Sequence, residues 1–283
     1  MIRPSRPADF HRVGHHYDEL DPFYRALWGE HLHHGLWRTG RERPRDAALA
    51  LVDEVLRLAG VGPGQAVCDV GCGYGATTRL LGERGLAATG LTVSAAQHAR
   101  AVAGGGPGGP RFLLRDWLDN GLPGEAFDAV LAIECLAHMA DKPAALAEAF
   151  RVLRPGGRLV ACLWLAGEAP ADREVRHLLR PICEEGRLPG LPTAAEYRRW
   201  AGAAGFRSVV VRDESDRVAR TWRVCARRVA GALFRPSSWR YLLDGGNTER
   251  RFALSVLRIL LAYRTGAMRY GILRAVKPGR AVS

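Results

Sequence analysis

Lysine is almost missing from this 283-residue chain: Lys142 and Lys277 are the only two among 41 basic residues, and all the others are arginines. GC-rich coding would produce that bias with no functional cause. No uninterrupted apolar run approaches 18 residues, which argues against a membrane-spanning helix. The first six residues, Met-Ile-Arg-Pro-Ser-Arg, lack the apolar stretch of a secretory signal. The six cysteines (Cys68, Cys72, Cys135, Cys162, Cys183 and Cys225) form no C-x-x-C pair, and several fall in predicted strands. Reduced, buried thiols in a cytoplasmic protein fit that pattern better than disulfides or zinc ligands. No internal repeat is visible, and the one low-complexity patch, residues 104–110, reads as a flexible loop.

What remains is the composition of an ordinary soluble globule, 47% hydrophobic and 25% charged, long enough to bury one full core with insertions. Its charge is lopsided. Residues 207–283 hold 17 basic and 5 acidic side chains, so they carry the whole net charge of +12. Beyond codon bias, such a surface suits an anionic membrane or an acidic substrate. Nucleic acid is the weaker partner, because no binding motif accompanies the charge.

Residues 67–78 read Val-Cys-Asp-Val-Gly-Cys-Gly-Tyr-Gly-Ala-Thr-Thr, an apolar strand running into a loop with Gly71, Gly73 and Gly75. Alternating glycines allow positive φ and close approach of a ligand to the backbone. A helix starting at Ala76 would point free N–H groups and its positive dipole end at whatever sits there. This is the geometry of a nucleotide-type cofactor site. Two patterns fit it. Gly71, Gly73 and Ala76 satisfy the dinucleotide fingerprint G-x-G-x-x-G/A, which also wants an acid at the end of the second strand. The second strand, 87–91, is followed by Thr92-Val93-Ser94 and offers no carboxylate. Asp69 instead lies two residues before the first glycine. Asp-x-Gly-x-Gly-x-Gly resembles the loop of class I S-adenosylmethionine-dependent methyltransferases, where the amides approach the methionine part of the cofactor and the acid serves its ammonium group.

Apolar periodicity predicts helices at 46–58, 77–84, 95–102, 142–153 and 194–204, and strands at 66–70, 87–91, 111–114, 127–133, 158–163 and 207–211. Strands alternating with helices at this spacing build a parallel sheet covered on both faces, with ligands beyond the C-terminal strand ends. Asp69, Thr92, Asp116 and Glu134 all fall at such ends. Two amphipathic helices follow, one with Val218, Trp222, Cys225, Val229 and Leu233 on a face, the other with Phe252, Val256, Ile259 and Tyr263. A strand at 268–276 comes last. The expected fold is therefore α/β, a Rossmann-like seven-stranded, mostly parallel sheet with helices on both faces. Residues 1–45 would form an N-terminal helical lid and 46–167 the cofactor-binding core. Residues 168–283 would supply the cap helices and final strands of the same domain.

The chain resembles the γ-tocopherol C-methyltransferase-like family nearly end to end. His16-Tyr17-Asp18 with residues 27–35, Leu-Trp-Gly-Glu-His-Leu-His-His-Gly, matches the family's N-terminal segment, which lies over the cofactor. Gly90-Leu91-Thr92-Val93-Ser94-Ala95-Ala96-Gln97 matches its Gly-Ile-Thr-Leu-Ser-Pro-x-Gln and implies Thr92 near the ribose. Arg115-Asp116-Trp117 falls where the family has Gly-Asp-Ala beside the adenine, and residues 134–139, Glu-Cys-Leu-Ala-His-Met, match Glu-Ser-x-Glu-His-Met. Residues 262–266 and 270–272 echo the family's ending. The resemblance implies S-adenosyl-L-methionine as cofactor, held by Tyr17, His34, Asp69, Gly71, Cys72, Gly73, Gly75, Thr92, Val93, Gln97, Asp116, Trp117, Glu134 and Cys135. Two departures stand out. Ala137 replaces the family's usual Glu before His138. Related sugar methyltransferases carry two adjacent histidines there and an aspartate at the end of the next strand, where this chain has Leu163-Trp164.

The expected acceptor is a hydrophobic small molecule such as a prenylated phenol or quinol, an alkaloid or another specialised metabolite. In-line displacement gains much of its rate from positioning. A phenol, hydroxyl or acidic carbon must also lose a proton, and His138 is the leading base, an imidazole of ordinary pKa about 6.5. His31, His33 and His34 suggest a metal cluster at first sight, but no carboxylate or cysteine completes a set at ligand spacing, so no metal is expected. The rivals are an NAD-dependent oxidoreductase, a cyclase or isomerase that keeps the cofactor without methyl transfer, and a nucleic-acid methyltransferase. Weak peripheral contact with an anionic membrane through the basic cap is a further expectation.

Overall fold

A computed structural model of the chain describes residues 1–5, 30–106, 108–233 and 250–280. Tyr17, residues 16–18 and 27–29, and the side chains of Val229, Leu233 and Phe252 lie outside what is described.

Seven strands form one sheet: β1 (Ala66–Val70), β2 (Ala87–Thr92), β3 (Arg111–Leu114), β4 (Phe127–Ile133), β5 (Leu153–Ala166), β6 (Arg207–Asp213) and β7 (Met268–Val276). Their spatial order is β3-β2-β1-β4-β5-β7-β6. The first five run parallel, and β7 is antiparallel to both of its neighbours. Among the described residues the helices of six residues or more are α1 (Pro44–Ala59), α2 (Ala76–Glu83), α3 (Ala95–Ala103), α4 (Lys142–Val152), α5 (Arg180–Glu185), α6 (Ala194–Ala203), α7 (Arg220–Leu233) and α8 (Arg250–Thr265).

Local chemistry sets most boundaries. Pro44 occupies the first turn of α1, and Gly60 closes it in the left-handed region at φ 60°, its N–H returning to Leu56 O. Ser94 caps α3 by accepting from Gln97 N, Asp141 caps α4 by accepting from Ala144 N, and Thr193 with Glu196 forms a capping box on α6. The central strands are buried on both faces, which is why they read as continuous apolar runs. Thus Val130 and Leu131, neighbours in β4 and both fully buried, enter different cores. Val130 packs with α4 and α6 through Leu146, Ala149, Tyr197 and Ala201. Leu131 packs with α1 through Leu51, Val52 and Val55.

Two differences from the sequence expectations have local causes. β5 begins at Leu153, five residues before the expected start, because Leu153 pairs with Phe127 and the Pro155-Gly156-Gly157 segment is absorbed as an irregularity before Arg158 pairs with Ala129. Residues 172–185, where the sequence pattern predicts no element, are helical: a turn at Asp172–Glu174, a wide π turn at Val175–Leu179, then α5. Pro181 lies inside this stretch and cannot donate a main-chain N–H, and the π turn takes up the lost register just before it.

That stretch completes a third cluster, the cap. Leu178, Leu179, Ile182 and Cys183 pack against Trp222 and Cys225 of α7 and Val256, Ile259 and Ala262 of α8. Of the apolar faces expected for the two cap helices, Val218, Trp222, Cys225, Val256 and Ile259 are buried and Tyr263 is half-buried. Leu257 and Leu261, on the other side of α8, are exposed. Among the described residues no helix is long and apolar enough to cross a membrane, and all six cysteines are free thiols.

Candidate functional site

The loop after β1 holds its three glycines in the left-handed region, with φ 69° at Gly71, 55° at Gly73 and 76° at Gly75. They are glycines for different reasons. A Cβ at Gly71 would lie 2.4 Å from Cys135 Cβ, and one at Gly75 would lie 2.6 Å from Phe112 Cε1 and 2.9 Å from Ala101 Cβ. Those two positions are closed by the protein itself. Among the described residues a Cβ at Gly73 would meet nothing nearer than Leu32 Cδ1 at 4.0 Å. Gly73 therefore presents its backbone to open space below residue 32, a cradle that any side chain would begin to fill.

Asp69, 2% exposed in β1, accepts from Thr78 Oγ1 at 2.6 Å. Burial pushes its carboxyl up to about 6, and the one hydroxyl offsets this only in part. A cation beside Asp69 would restore the charge, and that is the chemistry an amino-acid ammonium offers. The donor set thus fits the methionine end of S-adenosylmethionine. Cys72 N donates to Leu91 O at 2.8 Å, which ties the loop to the end of β2.

Further along the same sheet edge, Thr92 donates to Gln97 Oε1 at 2.9 Å and accepts from Ser94 N at 3.2 Å. Thr92 and Gln97 are both buried, while Val93 between them is 44% exposed. Arg115 N bonds to Thr92 O, and Asp116 caps the single turn Trp117–Asp119 by accepting from Leu118 N. Asp116 is exposed, whereas Trp117 turns inward and donates its indole N–H to Ala145 O at 2.9 Å. Asp116, Thr92, Asp69 and Glu134 consequently lie at or just past the C-terminal ends of the adjacent strands β3, β2, β1 and β4. At about 4.8 Å per strand the row is about 15 Å long, room for a nucleoside joined to an amino-acid tail.

Glu134 ends the row and is the most heavily bonded group in it. It sits just past β4 at φ 61°, a left-handed conformation that a non-glycine residue holds only where its surroundings enforce it. Its side chain, 8% exposed, accepts from His34 N at 2.7 Å, Tyr270 Oη at 2.8 Å and Trp164 Nε1 at 2.9 Å, and His34 Nδ1 lies 2.9 Å from both of its oxygens. Burial alone would raise this carboxyl; His34 and the surrounding donors outweigh it and bring it down to about 2. On the far side of the imidazole, Trp222 Nε1 donates to His34 Nε2 at 2.6 Å, which leaves Nδ1 to carry the ring proton toward Glu134. Glu134 and His34 are both among the residues that the sequence points to for the site. Thr78, Trp164, Tyr270 and Trp222 were not marked as such, although Trp164 was noted as filling a strand end and Trp222 as part of a helix face.

His31 and His33 stack edge to face at 5.2 Å between centroids beside His34. Burial lowers both, and His31, further depressed by His33, comes down to about 4. Neutral rings at physiological pH suit a lid over the glycine loop. Among the described residues no three His, Cys, Asp or Glu side chains are grouped to hold a metal ion. Cys135 lies against Gly71, and His138 is the half-buried last residue of the single turn Leu136–His138 that follows it.

Residues 68–161 match the model of a methyltransferase domain. Over 94% of its length the chain is 27% identical to a chloroplastic tocopherol O-methyltransferase of Arabidopsis thaliana, covering 82% of that protein. Over 77% of its length it is 31% identical to 27-O-demethylrifamycin SV methyltransferase of Amycolatopsis mediterranei, again covering 82%. Among solved structures, the [4+2]-cyclase SpnF superimposes with a TM-score of 0.75 at 28% identity over 98% of both chains. The strand order, the acid and glycine loop, and relatives matched over most of their lengths agree: the chain belongs to the class I S-adenosylmethionine-dependent methyltransferases, in the γ-tocopherol C-methyltransferase-like family of small-molecule enzymes.

Proposed function

We propose that this enzyme methylates a hydrophobic small molecule of the prenylated phenol, alkaloid or specialised-metabolite class, with the acceptor lying between His138 and the cap. The observation that carries this reading is the row of four strand ends under a lid and an apolar cap built from α5, α7 and α8. S-adenosylmethionine supplies an electrophilic methyl group on a sulfonium. The chain's own residues do the rest: Asp69 attracts the ammonium, the Gly73 backbone admits close approach, Thr92 and Asp116 face the nucleoside part, and residues 31–34 exclude water. His138 takes the proton that an ionisable acceptor must lose.

A second reading draws on the SpnF likeness: a cyclase or isomerase that retains the cofactor. Incubation with S-adenosylmethionine and a panel of prenylated phenols, alkaloids and polyketides separates the two. Methylated product with stoichiometric S-adenosylhomocysteine supports methyl transfer. Cofactor bound but never converted, with an isomeric product, supports the alternative.

The surplus of arginine beyond residue 207, together with exposed Leu257 and Leu261, supports weak contact with anionic membranes. The protein should pellet with phosphatidylserine vesicles at low salt and be released as salt screens the charge. A protein that stays in the supernatant at low salt removes this reading.

Cofactor affinity should follow Asp69. Asp69→Asn and Gly73→Val should each weaken S-adenosylmethionine binding at least tenfold, about 1.4 kcal/mol, with circular dichroism nearly unchanged. Wild-type affinity should fall as pH drops through about 6, where Asp69 takes up a proton, and that dependence should vanish in Asp69→Asn. Calorimetry showing pH-independent wild-type binding rejects the assignment.

His138→Ala should lower kcat by about 10²–10⁴-fold with cofactor affinity little changed, the usual range for a positioned base. The wild-type rate should fall at acid pH with one proton, and the variant should lose that limb. A variant within threefold of wild type across pH 6–9 would reduce His138 to packing.

A further inference from the structure

In a chain that uses arginine at every other basic position, both lysines are buried. Lys142 is 1% exposed and Lys277 is 9% exposed. Each does the same job at one end of α4. Lys277 Nζ donates to Leu153 O at 2.7 Å and Phe150 O at 3.0 Å, serving carbonyls that the helix end leaves without partners. Lys142, the first residue of α4, reaches backward: its Nζ donates to Met139 O at 2.9 Å and Ala137 O at 3.4 Å. Those two oxygens bracket His138. From within, the turn is held by His138 N on Cys135 O at 3.1 Å and Met139 N on Leu136 O at 3.3 Å. An ammonium is a compact head with three donors, whereas a guanidinium is a wide planar fork. Only the former fits between two main-chain oxygens in a closed site.

We propose that Lys142 is a positioning residue for the acceptor side of the site: by binding the main-chain oxygens on either side of His138, its buried ammonium fixes the turn that presents the imidazole. The inference rests on the reading of His138 as the proton acceptor. Stability does not explain the lysine. Burial lowers its pKa to about 8 from the ordinary 10.5. Below about pH 8 the fold carries a buried charge at a free-energy cost, and that cost is relieved as pH rises from 8 toward 10.5. Among the described residues the titratable neighbour is Cys183 of α5, whose thiol burial pushes up to about 12, so no described carboxylate faces the ammonium. What the charge does provide is strong, charge-assisted hydrogen bonds to the turn, and these weaken when the amine loses its proton.

The low lysine count makes the test direct. Labelling with [ε-13C]lysine gives two signals, assigned through Lys142→Met, and [13Cε1]histidine reports His138, assigned through His138→Gln. The Lys142 signal should titrate with a midpoint near pH 8, and the His138 signal should shift with the same midpoint. In Lys142→Met, and equally in Lys142→Arg, the His138 signal should broaden and lose that step, while the dissociation constant for S-adenosylmethionine stays within twofold. If neither variant folds, the Lys142 signal is assigned by difference through Lys277→Arg, and the wild-type titration decides alone. A His138 signal unmoved while Lys142 titrates, or a Lys142 signal that does not titrate between pH 7 and 9, overturns the proposal. The two readings fail separately. If His138→Ala leaves methyl transfer unchanged while the His138 signal still follows Lys142, the base assignment falls and the positioning stands.

Discussion

One buried carboxylate holds the site's coverings in place. Glu134 binds the main chain and ring of His34 from the N-terminal segment, Trp164 from β5 and Tyr270 from β7, and through the His34 ring it reaches Trp222 of α7. Four separate parts of the chain thus meet at the end of β4. An ionised carboxylate is costly to bury, and it is tolerated because each oxygen is served by charge-assisted donors. Loss of one donor would leave the charge less compensated and also release the segment that carried it. The segment over the glycine loop and the cap helix beside it therefore share a single anchor, so disturbance of one is transmitted to the other. The left-handed backbone at Glu134 belongs to this arrangement, since it turns the carboxylate back toward its partners.

Asp69 is the instructive contrast. Both acids are buried at strand ends of the same sheet, yet one is pushed up to about 6 and the other down to about 2. The difference is the count of donors. Asp69 has one hydroxyl partner among the described residues, while Glu134 is surrounded. Glu134 is electrostatically complete and behaves as framework. Asp69 is not, and its unmet demand for positive charge makes it the natural partner of a cationic ligand. Burial class alone does not separate the two; their hydrogen bonds do.

Much of this was legible in the residues. Continuous apolar runs and the 3.6-residue period located every strand of the sheet and the helices that cover it, with ends displaced by a few residues where caps and irregularities decide them. The acid and glycine loop marked the cofactor class. Three things were not legible, for physical reasons. Residues 172–185 carry Pro181 and a π turn, so their apolar residues do not advertise a helix. The roles of Gly71 and Gly75 as packing positions, against Gly73 as an open one, depend on side chains 26 or more residues away in sequence, Phe112, Ala101 and Cys135. The partners of Glu134 come from three separate parts of the chain, with Trp222 of a fourth behind His34, and no local pattern joins His34 to Trp222 across 188 positions.

The place of β7 has a consequence for how the molecule is made. β6 does not pair with β5; the two are joined in the sheet through β7, which follows β6 in the chain after the cap helices α7 and α8. The five parallel strands that carry the cofactor loop can pair in the order in which they are synthesised. β6 and the helices after it cannot join them until the last strand arrives and slots in antiparallel. The edge of β5 stays open for that interval, with apolar residues such as Leu163 and Leu165 uncovered, and an open strand edge invites pairing with the wrong chain. Assembly of the half that holds the cofactor thus precedes, and waits upon, a keystone that only late synthesis can supply.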